Sequence, residues 1–482
     1  MPVMAERISV VSPVAGVEAA MSEALDYDVI VIGTGAAGLS AAALAAQGGA
    51  SVLMVEAADR TGGSSALSGG VFYAAGTSLQ REAGLEDDTA EAMFHYYMTL
   101  NQYKLEPALV RTLCERSAEA FEWLRGLGIG FTVDNLYSSG VDKIRRGHRA
   151  TDGGAGIVEG LEGFLSGRNI DTVLDTRVET LLVENGRVCG IVADGAPVLS
   201  AATVIATGGF GANPEMLAQL YPDASRYGDL HWYIGAPTCR GDGLGLAAQV
   251  EGQLSKANRG LLLITPGFVK DLESYLPGWL MMVNRDGRRF IDETIEYSVL
   301  AAVLDEQPGR DCFAVFDEAS RLASKTTKYR PAPNWTADRL LDHVEAGTLI
   351  SAPTLEDLAG KLGVPAARLA TTAERYNSLV QIGNDEDYFK PSAMLRPVAQ
   401  GPFYAAHIRP AVICWTGTGI RIDTEARVLG ADDRPVPGLY AAGETTGGMF
   451  GQCYAAGGAS IGNAVVFGRI AGANAAKEKV NA

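Results

Sequence analysis

The chain has 482 residues, with 40 basic against 57 acidic side chains and a formal charge of −17. That balance leaves no basic footprint for a nucleic-acid backbone or an anionic membrane surface, and 47% hydrophobic with 20% charged residues excludes a chain disordered throughout. The length calls for two or three domains, each with a core of its own.

Residues 1–25 lack a basic start followed by an apolar run and are expected to form a flexible tail. No stretch of roughly 18 apolar residues marks an integral membrane segment, so a cytoplasmic protein is expected. The six cysteines, Cys114, Cys189, Cys239, Cys312, Cys414 and Cys453, form no CxxC pair, and the five histidines form no HExxH. Disulfide frameworks and metal centres are therefore not expected.

Glycine is in excess, 58 residues against an ordinary share of about 7%. It clusters beside apolar runs, where a missing Cβ lets backbone approach a ligand. The first cluster opens a nucleotide-binding pattern. A strand over Tyr27–Ile32 leads into Gly33, Thr34, Gly35, Ala36, Ala37 and Gly38, then an alanine-rich helix to Gln47, a strand over Ser51–Val55, and Glu56. The glycines bring a helix N-terminus against a pyrophosphate, and the acid accepts from an adenosine ribose. Arg60, Gly63, Ser64, Ser65, Ser68, Gly69 and Gly70 carry the glycine-lined surface past the second strand, which favours FAD over the smaller NAD.

In this combination the chain resembles the fumarate reductase and succinate dehydrogenase flavoprotein family, which includes the 3-ketosteroid dehydrogenases. The resemblance spans about residues 27–475. It implies an α/β fold in which a Rossmann-like FAD-binding domain carries an inserted α+β substrate-capping domain. In that family the glycine and serine loop lies alongside the isoalloxazine. The resemblance continues at Ala206, Thr207, Gly208, Gly209 and Phe210, at Gly241, Asp242 and Gly243, and at Ala441, Ala442, Gly443 and Glu444, where the family's acid meets the ribityl chain. Val178, Ser460 and Ile461 are further implied cofactor contacts. The Ser64–Gly70 loop has no histidine, so FAD is expected to be non-covalent.

Residues 88–125 are expected as helices with Met93, Tyr96, Tyr97, Leu109, Leu113 and Phe121 in the core. His148 is read as structural or flavin-side, and Glu184-Asn185-Gly186 marks a hairpin. Arg285–Arg289 reads as a solvated turn or as a docking face for an electron-transfer partner. The expected division is 26–229 for the first part of the FAD-binding domain, 230–397 for the cap and 398–482 for the last part.

The substrate site departs from the fumarate enzymes. Their acid arginine aligns with Tyr297, a substrate histidine with Phe450, an arginine with Tyr454, and a third position falls near Asn258 and Arg259. The clamp for two carboxylates is replaced by phenols, which suit chemistry next to a ketone. In the ketosteroid dehydrogenases a tyrosine and a glycine four residues later hold the 3-keto oxygen, the spacing of Tyr454 and Gly458. The implied reaction removes an α proton with Tyr297 or Tyr454 assisting and passes the β hydrogen to flavin. Tyr73 is a further candidate in the same pocket. The expected partners are a bulky apolar ketone such as a 3-ketosteroid and an unidentified electron acceptor. Desaturation at positions 4 and 5 is preferred to 1 and 2 on chain length and the Gly63-Ser64-Ser65 loop. The alternatives are an ene-reductase of an unsaturated ketone or acid, and a flavin-binding redox protein without turnover.

Overall fold

The computed structural model describes residues 25–270, 276–325 and 332–478. The expected tail lies outside these residues except for Leu25. In chain order the first nine strands are β1 (Tyr27–Ile32), β2 (Val52–Val55), β3 (Val71–Tyr73), β4 (Phe131–Tyr137), β5 (Gly147–Ala150), β6 (Ile170–Val173), β7 (Val178–Glu184), β8 (Arg187–Ala193) and β9 (Ala196–Ile205). There follow β10 (Trp232–Tyr233), β11 (Gly260–Thr265), β12 (Met281–Val283), β13 (Cys312–Asp317), β14 (Ile350–Ala352), β15 (Phe403–Thr416), β16 (Arg427–Leu429) and β17 (Pro435–Ala441).

The first sheet runs β16-β17-β9-β1-β2-β6, with the β7–β8 hairpin attached to β9. β1 lies between β2 and β9 and is parallel to both. A strand covered on both faces needs a continuous apolar run, and Val29 to Ile32 are all buried. Parallel neighbours require a crossover, supplied first by the helix Ala36–Gln47. That helix is rich in alanine because the helix Ala459–Glu478 crosses it closely. A Cβ at Gly468 would stand 2.4 Å from the Ala37 carbonyl oxygen, and one at Gly472 only 2.0 Å from that of Ala41. Asn185 and Gly186 both take positive φ, 49° and 77°, the two-residue turn expected of this hairpin.

The second sheet runs β10-β15-β13-β12, with β11 and β14 also on β15. Alternation along β13 divides two cores: Ala314 and Phe316 face Trp279, Trp335 and Tyr404, while Phe313 and Val315 face Leu358, Leu369 and Tyr376. Here the structure differs from the division at residue 398. Phe403–Thr416 is the central strand of the second sheet, and its apolar run gave no sign of which sheet would recruit it. The basic run is also more than a solvated turn. Arg289 is buried, fork-bonded to Glu293 at 2.9 Å twice and bonded to Asp385 at 2.7 Å, so it is a core cation of the second sheet's layer, while Arg285, Asp286 and Arg288 are exposed.

A third sheet, β3-β5-β4, is small. It pairs Val71 with Arg149 and sets Tyr73 and Tyr137 on either side of Gly147, which brings Val71, Tyr137 and Arg149, far apart in sequence, to one cavity wall. Among the described residues no helix is long and apolar enough to cross a membrane.

Candidate active site

The turn after β1 is built around absent side chains. Gly33 has φ +99°, and a Cβ there would lie 2.4 Å from the Ala206 carbonyl oxygen; at Gly38 it would lie 1.9 Å from the Gly33 carbonyl oxygen. Gly35 is the N-cap of the helix Ala36–Gln47 and offers no side chain to its first-turn amides. An amide-rich helix start at a wall without side chains is what a pyrophosphate requires. Ser65 Oγ accepts from the Ala36 amide at 3.0 Å and ties the second glycine loop to the first.

One continuous cavity runs from this turn to the second sheet. Of the expected cofactor residues it is lined by Gly33, Gly35, Ala36, Ala37, Glu56, Gly63, Ser64, Ser65, Ser68, Gly69, Gly70, Val178, Thr207, Gly208, Asp242, Gly443, Glu444, Ser460 and Ile461. Glu56 is held at its rim. One carboxylate oxygen accepts from the Thr34 amide (2.9 Å) and hydroxyl (2.7 Å), the other from the Ala58 amide (3.0 Å). Arg177 pairs with Asp242 in the same wall, and burial raises the Asp242 carboxyl against the pull of that arginine. The residues present thus fit a dinucleotide: the glycine turn for its phosphates, Glu56 for a ribose, and the Gly63–Gly70 loop for its ring system.

Glu444 is half-buried between the sheets, in the cavity wall, and accepts from the Thr416 amide and hydroxyl, each at 2.9 Å. Burial pushes its carboxyl up to about 7 despite those bonds. The folded protein then keeps a proton that the unfolded chain has already lost. The FAD-free protein is expected to lose stability as pH rises from 4.5 towards 7, by at most ~3 kcal/mol, with no further loss above that range. Glu444→Gln should remove this slope, which urea melts of the FAD-free protein at pH 5 and pH 8 would reveal.

At the far end of the cavity Tyr297, Tyr454, Gly457 and Gly458 come together. The Tyr454 hydroxyl oxygen accepts from the Ser460 amide at 2.7 Å, at the start of the helix Ala459–Glu478. Burial raises this phenol's pKa, and the Ser460 bond acts in the opposite sense. The Tyr297 hydroxyl lies 2.8 Å, and the Tyr137 hydroxyl 3.5 Å, from where a Cβ on Gly457 would stand. Gly458 has φ +98°, and a Cβ there would meet Val71 Cγ1 at 2.7 Å and the Val71 carbonyl oxygen at 2.8 Å. The three phenols and two glycines share one small volume.

Several expected site residues lie elsewhere. Tyr73 is not in the cavity wall: it is buried against Tyr97, with its hydroxyl turned to the Arg146 guanidinium at 3.4 Å. Arg146, itself fully buried between Asp88 and Asp142, claims that phenol for the core. Arg60 points into solvent beside Asp59. Gly38 and Gly209 sit behind the wall, where a Cβ would strike the Gly33 carbonyl oxygen and Glu444 respectively. His148 is structural: burial lowers it to about 4, the Thr77 hydroxyl donates to Nε2 at 2.8 Å, and Nδ1–H donates to the Arg146 carbonyl at 2.7 Å. Phe450 packs behind Tyr454 with Trp415, and Asn258 is bonded to Asp223.

The sequence reading missed Tyr137 and Arg149, both in the wall. Arg149 stands just before the Thr151–Gly154 glycine turn, a local signal that was available. Tyr137 has none, since only the pairing of β4 with β5 brings it in.

The FAD binding domain family matches residues 28–461. The chain is 34% identical over 465 residues to the Fumarate reductase (cytochrome) of Shewanella frigidimarina, covering 93% of this chain and 77% of that protein. It is 29% identical over 549 residues to the 4-oxocyclohexanecarboxylate 2-dehydrogenase of Sinomonas cyclohexanicum, covering 92% of each. Among solved structures, the 3-ketosteroid-Δ4-(5α)-dehydrogenase from Rhodococcus jostii RHA1 in complex with 4-androstene-3,17-dione is similar with a TM-score of 0.77 and 27% identity, covering 94% of this chain and 98% of that one.

Proposed function

The chain belongs to the FAD binding domain family, and on that premise we propose that its cavity desaturates the carbon pair next to the carbonyl of a cyclic ketone. It is an FAD-dependent oxidoreductase acting on CH–CH groups. Bound FAD supplies the acceptor for the hydrogen that leaves the β carbon as hydride. The chain's own residues handle the oxygen and the proton.

The observation that carries this reading is the Tyr454–Ser460 bond of 2.7 Å. A phenol whose oxygen already accepts from an amide has its own proton left to donate, here to the ketone oxygen. The Gly458 amide, for which no protein acceptor is found among the described residues, is the second donor. As the α proton departs, negative charge grows on that oxygen, where two donors and the start of the helix Ala459–Glu478 stabilise it. Tyr297, once ionised to the phenolate by loss of its own proton to solvent, takes the proton, with Tyr137 beside it. Electrons then pass to an acceptor yet to be identified.

The ketone we propose is a 3-ketosteroid or a similarly bulky ring, with desaturation at positions 4 and 5 preferred. Support comes from the apolar wall of Ile234, Leu261, Leu263 and Trp415 and from two relatives that act on ketones by name. A second reading is reduction of an unsaturated ketone or acid by the same atoms run in reverse. Its support is the 34% identity to a fumarate reductase.

Anaerobic addition of saturated cyclic 3-ketones to the oxidised holoprotein should bleach the visible flavin band and yield the conjugated enone. If only unsaturated acids turn over, and only against reduced flavin, the second reading replaces the first.

A further inference from the structure

The cavity wall holds two cationic side chains, Arg149 and Arg177. Arg177 is neutralised by Asp242. Arg149 is exposed to the cavity and makes no ion pair with a carboxylate among the described residues.

Its position is fixed by strand register. Arg149 on β5 pairs with Val71, the residue against which Gly458 packs, and its guanidinium lies 5.2 Å from the Tyr137 ring centroid. The Tyr137 phenol is raised by burial, and Arg149 acts on it in the opposite direction. Glu296, whose charge also reaches Tyr137, does not line the cavity. The guanidinium therefore stands beside the Tyr137 phenol, in a wall whose carboxylates are Glu56, Asp242 and Glu444, none of them paired with it.

A guanidinium beside a phenol and without a carboxylate partner among the described residues is matched by a planar anion. We infer that Arg149 receives a carboxylate on the substrate, which makes the substrate a cyclic keto acid: the ketone at Tyr454 and Gly458, the acid at Arg149. This rests on the ketone reading above and narrows it. It also distinguishes the site from a clamp for two carboxylates, because one cation can neutralise one acid group while the ketone takes the place of the other. A neutral ring of the same shape would still fit and would leave the guanidinium to water.

The test uses oxidised holoprotein and three probes: cyclohexanone, cyclohexanone carrying a 4-carboxylate, and cyclohexanecarboxylate. Binding is read from perturbation of the visible flavin spectrum and from thermal shift. The keto acid should bind about tenfold or more tightly than cyclohexanone, and this advantage should fall with added salt. Arg149→Met should erase the advantage of the keto acid over cyclohexanone, each measured on the same FAD-loaded variant, and Arg149→Lys should retain part of it. Equal binding of acid and neutral ketone, equal weakening of both by Arg149→Met, or no binding of either acid would overturn the inference. If cyclohexanecarboxylate binds through Arg149 but no ketone bleaches the flavin, the ketone reading falls and the acid site stands.

Discussion

Replacing Tyr454 with phenylalanine is expected to suppress ketone-dependent bleaching of the flavin by about 10²–10³-fold, the scale for losing one donor aimed at a developing oxyanion. The ring should stay in place, since Trp415 and Phe450 hold it at centroid distances of 6.0 and 5.4 Å. FAD content should remain that of the parent protein. Two losses would combine. The carbonyl oxygen would lose its phenolic donor, and the Ser460 amide would lose the acceptor it has at 2.7 Å. The same rate constant in parent and variant, in anaerobic stopped-flow with the same ketone, would remove Tyr454 from the chemistry. A rate lost together with FAD would instead make it a packing residue.

Gly38→Ala should have an even broader effect. The added methyl would stand 1.9 Å from the Gly33 carbonyl oxygen and 3.3 Å from Val31 Cγ1, inside a turn whose far side already touches Ala206. No rotamer can relieve a Cβ clash, so the helix Ala36–Gln47 must move off β1 and its first amides must move with it. FAD affinity is expected to fall by two orders of magnitude or more, on the scale of several kcal/mol for strain in a close-packed turn. The ratio of flavin to protein after gel filtration checks it. Full FAD occupancy with normal melting would show that the turn is looser than its geometry implies.

Both of these positions were legible in the sequence, because each belongs to a short local pattern. The turn from Gly33 to Gly38 could be read in full because strand, turn, helix and acid are local, and the backbone's need for missing Cβ atoms is written directly as glycine. Tyr454 and Gly458 were also local, four residues apart on one loop. Tyr73 misled because a phenol three residues beyond a cofactor loop has the right address, while its direction is set by Arg146, a cation buried from the other side. Tyr137 was invisible for the converse reason. It reaches the cavity through pairing of β4 with β5, and strand pairing is a property of two distant segments. The strand Phe403–Thr416 shows the same limit at larger scale: its apolar run announces a buried strand, but the choice of sheet is made by β13 and β11.

The seam between the helices Ala36–Gln47 and Ala459–Glu478 bears on how the molecule is made. β1 finds β2 at once, but its other neighbour, β9, is some 170 residues away in sequence, and the helix that closes the seam comes last of the described elements. During synthesis the early phosphate turn must wait, with its alanine face uncovered, until the helix Ala459–Glu478 has left the ribosome. Contacts between such distant segments are slow to form, so cofactor capture must follow synthesis of that helix, and a nascent chain stalled before Ala459 should expose a sticky, flavin-free helix to chaperones and proteases.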